Sequence, residues 1–505
     1  MIYFNASPDY FSQAFYVIET LLQPLNVSVR PFERDKKGHA GDILIDYTPR
    51  INTQAPIYRS FAGVIIIRQS EKLFGPDYLK PASLPGSARR FPLEHPVENV
   101  SDVVSFFRSS EKEAGVFIEK SEGVTRVIYT QDMIADAFFM LSRYEEVVHA
   151  KHSGYDTPHD RFPASMSLAF KEGFLKRPVV NEYLEILFFM LRLFDPGIEK
   201  RDLWGGREFA LHLSHDVDFI AKYQKPFWSG LVQSLRDGLY LAKENKDLSF
   251  APLSVKEFCS ARKDYHCDPF WSFGDLCRTE DHYGFLSSFY FIASGRTDYE
   301  QHYVLDDSRV QKLIQILAGQ GREIGCHGSY ESFRDEMMLK KEKALIDKQI
   351  AGKAAGVRQH YLRFQASETW CIQDRCGFLY DATLGYPEAC GFRSGFCLPY
   401  HPYDFEENRA LSLWEIPLIV MDGTLRDPKY GGYSPQEGLS EIKELAGQVK
   451  QFNGVFSFLW HNSSFGLTWR HWEKVYEEAL SYLSLNNAAG FTGSELIQAI
   501  EKKTD

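Results

Sequence analysis

No cysteine stands before residue 258, and the eight beyond it form no C-x-x-C pair (Cys259, Cys267, Cys277, Cys326, Cys371, Cys376, Cys390 and Cys397). That spacing excludes a thiolate zinc ribbon or a dithiol redox motif, and reduced, mostly buried thiols are expected instead. Dense runs of lysine and arginine are missing too. With a net charge of −11, the chain lacks the clustered cations that phosphate backbones require, so nucleic acid is excluded as a main partner. The one highly charged stretch, Met338 to Lys353, carries Met338, Leu345, Ile346 and Ile350 at helical spacing. Its charges therefore form the wet face of an amphipathic helix. No apolar run approaches the ~20 residues that span a bilayer. The most apolar helix candidate, Tyr183 to Phe194, is interrupted by Glu185 and Arg192, and it reads as a buried helix with no transmembrane segment elsewhere. The opening Met1-Ile2-Tyr3-Phe4-Asn5-Ala6 has neither a basic start nor the apolar core of a signal peptide. A cytoplasmic protein is expected.

What is present is a globular composition, 44% hydrophobic and 25% charged. Aromatic residues reach 15%; most serve buried packing, although flat rings also suit the C–H faces of pyranose sugars. A chain of 505 residues exceeds one core and predicts roughly two to three domains. Residues 1–200 read as a smaller α/β domain. Apolar runs of strand length occur at Asp42–Asp46, Gly63–Ile67, Gly115–Ile118 and Val124–Ile128, the last two flanking Ser121-Glu122-Gly123 as a hairpin. Met133 to Tyr144 has helical spacing, Lys151 to Pro163 reads as a loop, and a linker runs from Asp195 to Gly206. From Arg207 to Asp505, seven strand candidates follow: Phe209–Ser214, Ser287–Ile292, Glu323–Cys326, Val357–Phe364, Phe378–Asp381, Leu413–Ile419 and Val455–Trp460. Helical segments such as Ser308–Ala318 and Leu339–Ile350 separate several of them. Alternating strands and helices predict a parallel sheet, here a distorted seven-stranded (β/α) barrel whose reactive groups stand at the C-terminal strand ends.

Three of those ends carry ionisable groups. The first runs into His215-Asp216-Val217-Asp218, and side chains two apart on an extended segment share a face. Such a carboxylate pair can divide labour between metal binding and proton transfer; paired aspartates at a strand end also commonly cap the next helix. The third strand ends in Cys326-His327-Gly328-Ser329-Tyr330-Glu331, and the last runs through Trp460 into His461-Asn462.

Taken together in order, these motifs resemble the polysaccharide deacetylase superfamily, carbohydrate esterase family four with its NodB-like domain, and more closely a bacterial branch with an extra N-terminal domain. The resemblance covers roughly residues 207–500. It implies Asp216 as general base, Asp218 and His327 as metal ligands, Arg358 within Gly356-Val357-Arg358-Gln359-His360 as the residue orienting the base, and His461 as the acid that protonates the leaving group. It further implies a divalent metal, zinc above others, and an N-acetylated carbohydrate substrate. One departure stands out: where the family has a second histidine four residues after the first, this chain has Glu331. A carboxylate can ligate zinc, so Asp218, His327 and Glu331 can form the site; equally, a Glu331 that faces solvent leaves only two protein ligands. His360, on the strand parity of Arg358, is an alternative ligand and, with His401 and Trp460, a candidate for lining the substrate cleft. Two functions follow: a metal-dependent hydrolase removing N-acetyl groups from an amino sugar of a surface glycan or its precursor, or an inactive glycan-binding barrel with an incomplete metal site.

Overall fold

The computed structural model describes all residues except 34–38, 40, 51–54, 109–114, 122–123, 156, 296, 301 and 503–505. Near the N-terminus lie strands β1 (Ile2–Asn5), β2 (Val29–Pro31), β3 (Ile43–Thr48), β4 (Gly63–Arg68), β5 (Arg89–Val97), β6 (Val100–Ser105), β7 (Val116–Ser121) and β8 (Val124–Tyr129). Six form one sheet in the order β2-β1-β3-β4-β8-β7, while β5 and β6 pair separately as a hairpin. All its pairings are parallel except β7 with β8. Strands β3 and β4 are buried along almost their whole length, which is why they read as continuous apolar runs rather than alternating ones. The turn expected at Glu122-Gly123 lies outside the described residues. Helices Phe11–Leu22, Met133–Leu141 and Val179–Arg192 pack on one another beside this sheet. The second was expected to reach Tyr144 but stops where Arg143 turns left-handed, at φ 54°. That turn sends the Arg143 guanidinium to Glu146 at 2.8 Å and to the carbonyl of Arg393, which itself pairs with Glu146 at 2.6 Å. A buried ionic network thus joins the two sheets' regions, and one hydrophobic core runs through both.

The second sheet contains β9 (Phe209–Val217), β10 (Ser287–Ile292), β11 (Glu323–Gly328), β12 (Gly356–Gln359) and β13 (Tyr380–Asp381). After a small separate hairpin, β14 (Tyr403–Asp404) with β15 (Arg409–Ala410), come β16 (Trp414–Glu415), β17 (Val420–Met421), β18 (Val455–Leu459) and β19 (Ala488–Gly490). The order is β16-β13-β12-β11-β10-β9-β18-β17, with β19 also on β9, and every pairing is parallel. The two ends of that order, β16 and β17, are separated in sequence only by residues 416–419. The five steps from Glu415 to Val420 reach at most about 18 Å, so the sheet must curl until its edges approach. The linking residues bridge both edges: Ile416 N–H donates to Asp381 O at 2.9 Å and Ile419 N–H to Ser457 O at 3.2 Å. Closure is therefore by the chain itself rather than by a continuous ladder.

The nine strands of this sheet differ from the expected seven for two reasons. The strand expected over Leu413–Ile419 is shortened to β16, ending before Pro417, which has no N–H to give a ladder, and the short β17 begins just beyond the expected range, at Val420. Ala488–Gly490 is too short to stand out by pattern. The strand expected over Val357–Phe364 also stops early, at Gln359, because Tyr361 and Leu362 adopt φ of 61° and 51°.

Candidate active site

Alternation along β9 decides which groups face the barrel. His215 points outward, its Nδ1 donating to the carbonyl of Trp460 at 2.6 Å and its Nε2 2.8 Å from the Glu280 carboxylate. Asp216 points inward, and Asp218, one residue past the strand, shares its side. Across the mouth, His327 at the end of β11 places Nε2 3.2 Å from Asp218 Oδ1 and 3.8 Å from Asp216 Oδ2. Its other nitrogen, Nδ1, lies 2.8 Å from the carbonyl of Arg358, a contact that fixes the ring and leaves Nε2 free to ligate. His360 Nε2 is 3.4 Å from the same Asp218 oxygen, and His461 Nε2 is 3.8 Å from the other one.

Arg358 is fully buried and holds the base candidate in place. Nη1 donates to Asp216 Oδ1 at 2.9 Å and to Ser214 Oγ at 3.0 Å, while Nε donates to the carbonyl of Ala382 at 2.8 Å. The guanidinium lies over the Tyr290 ring, 4.7 Å from its centre. Gly325 and Gly356 make that stack possible: a Cβ on either would fall within 2.5 Å of the Tyr290 or Tyr380 ring. Removing one partner of such a buried pair typically costs about 3–5 kcal/mol, because the other charge is left uncompensated.

Electrostatics separate the roles of the acids and histidines. Burial alone would raise the pKa of Asp218, but His360, His327 and His461 hold it well below the usual carboxylate range. Burial would lower that of His461, yet Asp422, followed by Asp218 and Asp216, pushes it up to about 10. Asp422 is fully buried, lies 2.7 Å from His461 Nδ1, and accepts from the His461 N–H at 2.8 Å and from the Ser464 hydroxyl. His461 is thus oriented and kept cationic. His327 is raised as well, since Asp216 and Asp218 outweigh its burial. His212, deeper on β9, is driven down to about 3 by burial and Arg358 and remains a neutral structural residue.

Asp218, His327 and His360 have ligand atoms all within 4.8 Å of one another. Ligands about 2.05 Å from a shared tetrahedral centre stand ~3.3 Å apart, which matches the 3.2 and 3.4 Å separations from Asp218 Oδ1. That oxygen is buried and accepts no hydrogen bond of good geometry among the described residues. Two imidazoles and one carboxylate suit zinc or a similar divalent ion.

Five of the residues singled out in the sequence, Asp216, Asp218, His327, Arg358 and His461, meet at this mouth, and His360 joins them. The expectation for Glu331 is corrected. It is exposed, at the start of the short turn Ser332–Arg334, and stands outside the ligand cluster. The chain after His327 turns away rather than continuing as the helix that would return position 331 to the site. His401 packs against Trp414 at 3.8 Å between ring centres and hydrogen-bonds the carbonyl of Leu413, at the entry end of β16 rather than the mouth. Trp460 is wholly buried among Phe458, Trp469, Trp472 and Tyr476 and offers no face to a sugar. Asp422 and Glu300 were not anticipated. Glu300 accepts from the Tyr330 N–H and stands 3.9 Å from His360 Nδ1. Nor was His159, which reaches over from the N-terminal region to stack on Tyr361 at 4.5 Å.

Residues 6–196 match the Family of unknown function (DUF7033). No curated protein matches the chain. Among solved structures, a Mycobacterium smegmatis protein assigned as a polysaccharide deacetylase is 16% identical, covering 58% of this chain and 91% of its own at a TM-score of 0.38. An allantoinase is 11% identical, covering 60% and 94% at 0.39. A Pseudomonas aeruginosa PAO1 protein also assigned as a polysaccharide deacetylase is 12% identical, covering 60% and 94% at 0.38. Likenesses this distant carry no argument about activity, which rests on the side chains at the barrel mouth.

Proposed function

We propose that this chain is a metal-dependent hydrolase that removes N-acetyl groups from an amino sugar of a surface glycan or its precursor. One observation carries the reading: a held carboxylate and a held cationic imidazole converge on one three-ligand set. Asp216 lies 3.8 Å from His327, and His461 lies 3.8 Å from Asp218.

An N-acetyl amide resists hydrolysis because water is a poor nucleophile and an amine a poor leaving group. A divalent ion held by Asp218, His327 and His360 supplies Lewis-acid polarisation and a more acidic water. Asp216, anchored by Arg358, accepts the proton of the attacking water. His461, cationic beside Asp422, donates a proton to the departing nitrogen as the C–N bond breaks. Acetate and a free amino sugar result. A carbohydrate suits the rim, where Tyr299 and Tyr361, 40% and 37% exposed, belong to an aromatic cluster next to His360, whose ring centre is 4.6 Å from that of Tyr361.

The reading is tested by stripping the protein of metal, reloading it with zinc, and following acetate release from a panel of N-acetylated oligosaccharides. Activity lost on chelation and restored on reloading is the expected result. Zinc-loaded protein that binds these sugars yet releases no acetate would replace the hydrolase with a glycan-binding barrel.

A further inference from the structure

Between β9 and β10 the chain inserts a helical hairpin, Phe227–Asn245 and Phe250–Lys263. Small residues weld its two helices together. A Cβ on Gly230 would fall 2.7 Å from the Phe258 ring, and one on Gly238 would fall 2.9 Å from the Ala251 Cα. Between them Ser234 and Ser254 exchange hydroxyl-to-carbonyl hydrogen bonds of 2.7 and 2.6 Å. The first helix therefore buries its glycine and serine face and turns its large residues outward, the reverse of an ordinary surface helix.

Those outward residues form a stripe. Trp228, Val232, Leu235 and Leu239 are 76%, 56%, 41% and 61% exposed, and their spacing keeps them within an arc of about 60°. Phe227, Tyr240, Leu248 and Leu253 extend the apolar surface. Of the eighteen large hydrophobic side chains exposed among the described residues, eight lie in residues 227–253. That concentration marks a contact surface rather than scattered exposure. By helical rotation Arg236 and Lys243 border one edge of the stripe and Glu244 falls on the far side, while Lys225, Arg236 and Asp237 share a surface recess with Trp228 and Val232. Seven lysines and arginines against four carboxylates give residues 225–263 a net charge of +3, in a chain that carries −11 overall.

We propose that this hairpin docks the protein on the surface of a bilayer containing anionic lipid, lying in the interface rather than crossing it. A tryptophan-bearing apolar stripe edged by cations is the pattern of an interfacial helix. No helix among the described residues is long and apolar enough to span a membrane. A second copy of the chain fits the surface less well. Pairing two such surfaces would set the like cations Arg236 and Lys243 against one another. The base of the hairpin also lies beside the site. Tyr223 and Arg262, at its two ends, line a cavity of 820 Å³ together with Glu300 and His302, and Glu300 approaches the ligand candidate His360. This proposal does not depend on the hydrolase reading, and its test uses no activity.

The test is co-sedimentation of the full chain with vesicles of phosphatidylcholine alone and of equimolar phosphatidylcholine and phosphatidylglycerol, with analytical ultracentrifugation in parallel. Wild type is expected to bind the anionic vesicles and to release with salt. Trp228→Glu with Leu239→Glu should weaken binding at least about tenfold, and Arg236→Gln with Lys243→Gln by roughly tenfold or more. Both double variants should keep the wild-type circular dichroism. Because these side chains face solvent, a variant that fails to fold would itself contradict the outward stripe. The proposal is overturned if wild type ignores anionic vesicles, if the stripe variant binds them as well as wild type, or if wild type is a dimer that the stripe variant dissociates.

Discussion

Replacing His360 by alanine removes one of three ligand candidates, and the geometry sets what that should cost. Its Nε2 stands 3.4 Å from Asp218 Oδ1, close to the 3.2 Å of His327, so the two imidazoles are near-equivalent donors. Loss of a group that merely supports a ligand typically lowers metal affinity about 10–100-fold. Loss of a ligand itself should cost at least about 100-fold, or ~2.8 kcal/mol. Glu331→Ala, on an exposed turn, should change affinity by no more than about twofold, the ordinary scatter of surface substitutions. Glu300→Gln, which acts through His360 at 3.9 Å, should fall between them, roughly tenfold weaker. Competition of apo protein against a chromophoric zinc chelator measures all three, with circular dichroism as the check on folding. Zinc released by Glu331→Ala but retained by His360→Ala would refute the ligand assignment.

Three further outcomes are expected. Asp422→Asn removes the carboxylate that chiefly raises His461 toward about 10, so the basic limb of the pH profile of kcat/KM should move to lower pH; an unmoved limb would mean that His461 is not the acid. Metal affinity should rise with pH, because His327 is raised by Asp216 and Asp218, and a protonated imidazole must lose its proton before it can ligate. Calorimetry in buffers of differing ionisation enthalpy counts that proton, and binding without proton release would contradict the assignment. Arg358→Ala should destabilise the fold by about 3–5 kcal/mol, since Asp216 is left buried without its partner, whereas Arg358→Ala combined with Asp216→Ala should recover part of that loss in chemical denaturation.

The parts of the site that were legible in the sequence share a physical cause. Strands β9, β11 and β18 are largely buried, and Asp216, His327 and His461 stand at or just beyond their C-terminal ends, where a parallel sheet presents its reactive groups. Glu331 misled because spacing of four from His327 returns to the same side only on a helix, and the chain there makes a turn. His360 kept its place at the mouth although its strand did not continue to it: the left-handed Tyr361 is held by the stacked His159 ring and by Arg161, whose Nη1 donates to the Tyr361 carbonyl at 2.5 Å. Such contacts across 200 residues leave no local signal. Asp422 follows β17, a two-residue strand too short to stand out by pattern, just beyond the strand expected over Leu413–Ile419. The stripe from Trp228 to Leu239 has the periodicity of a core-facing helix, and only the glycine and serine packing opposite it reveals that it faces out.

The central claim is that Asp216 and His461 move protons while Asp218, His327 and His360 hold the metal. The most direct measurement compares initial rates of acetate release by wild type, Asp216→Asn and His461→Ala, each at matched zinc occupancy, on an N-acetylated oligosaccharide. Both variants should retain zinc and fold yet lose roughly a hundred- to ten-thousand-fold in rate. Equal rates in all three proteins at equal zinc would contradict the claim.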